Sequence, residues 1–145
     1  MSSTLTSTAA ERIADEILSR YDGKILAISI IDEKTGGGNI LATKTTESFE
    51  KTFGELQEGP KFGGTSAIAA LSLANQERGI AGDTIAITTT YKKCKMMLIP
   101  IPSHEILVGF VLKRRVVLDE DRIANYIESL VADNAHTTTT ANPPK

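Results

Sequence analysis

Apolar positions recur along this chain with two periods. From residue 9 onward, Ala10, Ile13, Ala14, Ile17, Leu18 and Tyr21 fall at three- and four-residue steps, with Glu11, Asp15, Glu16 and Arg20 between them. That spacing predicts an amphipathic helix, closed at Asp22-Gly23 because glycine takes the left-handed conformation at helix ends. Residues 24–31 (KILAISII) are apolar on both faces and predict a strand. DEKTGGGN at 32–39 predicts a hairpin turn whose glycines supply positive φ angles, followed by a short strand at 40–44. Phe49, Phe53 and Leu56 stand at helical spacing after Thr46 or Ser48 as cap, so a short helix is expected over 46–56, ended by Glu58-Gly59-Pro60. Residues 65–78 (TSAIAALSLANQER) predict a helix of small side chains. Its narrow stripe is Ile68, Leu71 and Ala74 or Asn75, so one face presses on the sheet and the other is open to a second helix.

The stretch 84–112 organises the rest. Residues 84–91 alternate, with Ile85, Ile87 and Thr89 on one face and Thr84, Ala86, Thr88 and Thr90 on the other, which describes a half-buried strand. Residues 96–101 and 106–112 are apolar almost without a break, and Pro100, Pro102, Ser103 and His104 bend the chain between them, predicting an antiparallel hairpin. Pro100 and Pro102 bring no amide donors, so they belong near the turn, where the ladder is already incomplete. Asp119 is the expected cap of a last helix whose stripe is Ile123, Tyr126, Ile127, Leu130 and Val131. Strands apolar on both faces need cover on both. The chain is therefore expected to form one α+β domain over residues 9–133: five antiparallel strands, the first and last helices on one face, the middle helix on the other. The two most apolar strands belong at the centre and the Thr-rich strand at an edge. Residues 1–8 and 134–145 are too polar to pack and are expected to be disordered tails.

Composition narrows the function classes. A chain of 145 residues buries an adequate core without crosslinks, and a net charge of −2 does not imply a polyanionic partner. One cysteine, Cys94, excludes an intrachain disulfide and a multi-cysteine zinc site. With His136 in a polar tail, no metal set has ligand spacing. The N-terminal MSSTLTSTAAER lacks a basic segment followed by an apolar core, and no apolar run approaches ~18 residues, so neither a secretion signal nor a membrane span is expected. A reducing cytoplasm fits.

Individual motifs take bland readings. Gly36-Gly37-Gly38 joins two strands instead of opening a helix, so it reads as a turn and not an anion cradle. Gly59 to Ser66 (GPKFGGTS) has Thr65 where a phosphate loop has lysine, and Thr65 or Ser66 serves as a helix cap. Ser103, His104 and Glu105 are neighbours in a turn and diverge, so they are no triad. Cys94 starts an apolar strand and reads as a small core residue. Lys92, Lys93 and Lys95 precede one strand of the expected hairpin and Lys113, Arg114 and Arg115 follow the other. Antiparallel pairing gathers these six at one end, as a rim that is either solvated or steers an acidic partner. Nucleic acid fits poorly, since the strands carry no aromatic platform.

The order of elements, with the middle helix running through a Gly/Asp break into TIAITTTY, KMMLIPIP and ILVGFVL, resembles the roadblock/dynein light-chain family over residues 9–132. The resemblance implies a profilin-like three-layer α/β/α sandwich, a homo- or heterodimer, and a non-enzymatic role as adaptor or regulator of small Ras-like GTPases, with no cofactor. It also implies an interface on the middle helix and the adjacent edge strand. Here those would supply Ile68, Ala70, Leu71, Asn75, Thr84, Ala86, Ile87, Thr88 and Thr90. A short helix inserted within 46–61 departs from the family pattern. The alternative function is a profilin-like sensor binding a small ligand between sheet and helices.

Overall fold

The structure is a computed structural model and describes residues 5–33, 39–53 and 65–140. Eight of the expected elements are present in the expected order: α1 (Ser7–Arg20), β1 (Ile25–Asp32), β2 (Asn39–Thr45), α2 (Glu47–Phe53), α3 (Thr65–Asn75), β4 (Cys94–Ile101), β5 (Ile106–Lys113) and α5 (Glu120–Thr140). The ninth, β3, is Ile87–Thr90, and a single helical turn not expected from the sequence, α4 (Arg78–Ala81), precedes it. The five strands form one antiparallel sheet in the order β2-β1-β5-β4-β3. β5 is the central strand, flanked by β1 and β4, so all three strands with long apolar runs are interior, and the Thr-rich strand is an edge.

The core divides by face. Ile28, Ile30, Met97, Ile99, Val108 and Phe110 point toward α1 and α5, which add Ile13, Ile17, Ile123, Ile127 and Val131 to one continuous cluster. The opposite face holds two smaller clusters. Leu26, Ala27, Cys94 and Val111 lie under Phe49 of α2, and Ile31 and Leu107 lie under Ala67 and Leu71 of α3. Burial pushes the Cys94 thiol above its ordinary pKa, which keeps it protonated and unreactive.

Capping chemistry sets the helix ends. Thr6 accepts from the Ala9 N–H at 3.0 Å, Thr46 from Phe49 at 3.2 Å and Asp119 from Arg122 at 3.1 Å. Gly23, at φ +82°, follows α1 in the left-handed region.

Four expectations are corrected. Leu5 is buried in the main core and Thr6 caps α1, so the ordered chain begins before residue 9. The last helix runs on to Thr140 instead of ending at Asp133, because each added residue gains a backbone bond once a helix is nucleated. α3 stops at Asn75, where Gln76 and Glu77 bond back three residues and tighten the turn. The edge strand spans only Ile87–Thr90, and its register explains why. Ile87 faces Leu98, so Ile85 would face Pro100, which has no N–H to extend the ladder. The glycine turn at 36–38, Leu56 and the 59–64 loop lie outside the described residues.

Candidate interaction surface

β3 pairs with β4 on one side, and among the described residues nothing pairs with the other. Its sequence ITTT contains no proline and no charge, and Thr88, Thr89 and Thr90 are exposed, so a row of backbone donors and acceptors faces outward. α3 packs beside it. The Thr84 hydroxyl donates to Asn75 Oδ1 at 2.9 Å and ties the two elements together, while Thr88 reaches Glu120 at 3.4 Å. Leu73 on α3 is 66% exposed and Ile80 on α4 91%, and Ile85, just before β3, is also exposed. Large aliphatic side chains this open are the feature that needs explaining.

The residues expected at an interface differ in how far they are open to a partner. Ile87, Thr88 and Thr90 lie on the open strand, and Ala70, Asn75 and Thr84 are half-buried beside it. Ala86 is half-buried and packs on the main core. Leu71 is corrected: it is 5% exposed and already buried against Ile31 and Leu107, leaving it no area to offer a partner. The side chain of Ile68 lies outside what is described. Leu73, Ile80 and Ile85 are exposed residues outside that expected set, and Leu73 sits two positions off the helix's buried stripe.

The basic rim forms by register. Cys94 stands opposite Lys113, which sets the turn carrying Lys92 and Lys93 beside that carrying Arg114 and Arg115. Lys95 differs from the other five, being half-buried with Nζ donating to the Val116 carbonyl at 2.8 Å. Lys24, not foreseen, joins them, because its carbonyl accepts the Lys113 N–H at 3.2 Å.

Ser103 Oγ lies 3.0 Å from His104 Nδ1 and 3.4 Å from Glu128 Oε2. The carboxylate thus contacts the hydroxyl and not the imidazole, which leaves out the base–orienter bond of a triad. Among the described residues no three His, Cys, Asp or Glu side chains are grouped to hold a metal, and no helix is long and apolar enough to cross a membrane.

A sheet covered by terminal helices on one face and by the middle helix on the other, with one bare edge strand beside that helix, defines a roadblock-type α/β/α sandwich. No family model and no curated protein matches the sequence. Among solved structures, the gliding protein MglB from Thermus thermophilus matches with a TM-score of 0.60 and 16% identity, over 94% of this chain and 99% of that one. An MglB in a tetrameric arrangement matches at 0.57 and 17%, over 92% and 99%. A roadblock/LC7 domain from Streptomyces avermitilis matches at 0.50 and 8%, over 94% and 96%. The likeness to the roadblock family read from the order of elements therefore holds at the level of fold.

Proposed function

We propose that this protein is a non-catalytic adaptor that pairs with a second copy through β3 and α3 and, as a dimer, regulates a small Ras-like GTPase or a larger complex. The observation that carries the reading is the β3 margin left unpaired among the described residues, with Leu73 exposed on the neighbouring α3 and Ile85 exposed just before β3. Antiparallel pairing of β3 with its symmetry mate satisfies both edges at once and joins two sheets into one, an isologous contact of the commonest kind. The same motion sets the two α3 helices side by side, where small residues such as Ala69, Ala70 and Ser72 permit close approach. Support also comes from the tetrameric arrangement of one MglB of the same fold, a protein whose copies associate. Light scattering tests the pairing: a dimer mass is expected, and a monomer at high concentration overturns it. For the regulatory half, the purified dimer is expected to bind a Ras-like GTPase from the same cell differently in the GTP- and GDP-loaded states; equal binding, or none, rejects that part.

A further inference from the structure

Folding collects six exposed cations from three separate segments at one end of the sheet. The Tyr91 N–H bonds the Cys94 carbonyl at 2.7 Å and closes the turn that carries Lys92 and Lys93. The Val116 N–H bonds the Lys113 carbonyl at 3.0 Å and closes the one that carries Arg114 and Arg115. Lys95 then staples the second turn to the first strand through Val116, and Lys24 completes the set of Lys24, Lys92, Lys93, Lys113, Arg114 and Arg115. Like charges held together repel, and a chain with 18 carboxylates has the means to neutralise them. It does not do so. Among the described residues no ion pair involves any of the six, while Asp119 caps α5 and Glu120 reaches Thr88.

Charge alone would suit any polyanion, but two apolar side chains at the same end are more selective. Val117, one residue past the stapled turn, is 83% exposed, and Tyr91, at the mouth of the other, is also exposed. An acidic peptide gains from a bare valine only where it carries apolar side chains of its own. A bilayer offers anionic headgroups to the cations and, just beneath, an interfacial layer that takes up aliphatic and tyrosine side chains.

We propose that this end of the sheet docks on an anionic membrane surface, its cations against the headgroups and Val117 and Tyr91 in the interface. The proposal goes beyond the adaptor reading and stands whether or not copies pair through β3.

The test is co-sedimentation of the full chain with phosphatidylcholine vesicles, with and without phosphatidylserine. Binding is expected only to the phosphatidylserine vesicles and should weaken as salt rises. Each cation removed, in Lys92→Ala/Lys93→Ala or Arg114→Ala/Arg115→Ala, should lower partitioning about fivefold. Val117→Ser should lower it with no change of charge. All these positions are exposed, and an unaltered circular dichroism spectrum checks that the variants fold. Equal partitioning into both vesicle types, or none, overturns the proposal. So does a Val117→Ser variant that binds as well as the parent, or retention by soluble polyglutamate or duplex DNA while vesicles are ignored; these last results would assign the rim to an acidic protein or a nucleic acid.

Discussion

Ser29 sits fully buried between Ala27 and Ile31 on one face of its strand, opposite Gly109 of β5 and Thr43 of β2. Its hydroxyl is 3.2 Å from that of Thr43, and the pair separates the two small clusters under α2 and α3. Removing one member strands a buried hydroxyl, so Thr43→Val should cost about 1–3 kcal/mol in urea denaturation, while Ser29→Ala/Thr43→Val together should come close to the parent. Two glycines near α4 differ in what they do for the backbone. Gly82 has φ +88° and ψ −174°, a conformation essentially closed to other residues, whereas Gly79 lies in helical backbone, and a Cβ would meet open space at both. Gly82→Ala should therefore lose about 1–3 kcal/mol and Gly79→Ala gain roughly 0.4–1 kcal/mol, a difference of sign readable in paired thermal melts.

At the scale of the element, β3 and α3 are the least self-sufficient parts of the fold. β3 has four residues, three of them exposed, and α3 buries only Ala67 and Leu71 among its described side chains. Ile87→Pro removes a donor and bends the strand, and Leu73→Glu puts a charge on the outer side of α3. Both should abolish the dimer in light scattering. Leu73→Glu should leave the monomer's stability within about 0.5 kcal/mol, as expected of an exposed site, which separates loss of association from loss of fold. A dimer that survives both variants counts against this interface. The elements themselves were legible from local pattern: the stripe of α1, the unbroken apolar runs of β1 and β5, and the capping residues Thr46 and Asp119 appear where spacing and chemistry placed them. The interface was less so. Helical spacing put Leu71 on the apolar stripe and the family resemblance put it at an interface, but which side of a small-residue helix meets the sheet depends on the strand beneath it.

For the whole molecule, coupling of folding to association makes a thermodynamic claim. If the native state pairs and the unfolded chain does not, Tm should rise with protein concentration for the parent and stay flat for Leu73→Glu, as differential scanning fluorimetry over a dilution series would show. A concentration-independent Tm in the parent would indicate that the β3 margin is stable in water alone. The charge distribution is also a property of the whole: a chain with a net charge of −2 gathers six exposed cations at one end of its sheet. Neither the mean charge nor any single segment reports that concentration.

By itself the sequence determined that three strands are hidden on both faces, that helices must lie above and below them, and that the Thr-rich strand is left at the margin, because burial periodicity is a local property of each segment. Tertiary structure alone decided that the Pro100 register cuts β3 to four residues, that Leu71 is spent on the chain's own core while Leu73 stays bare, and that Lys24 joins a rim otherwise built from residues far along the chain. Those outcomes depend on which residues face each other across strands, and pairing between distant segments follows from the packed sheet as a unit.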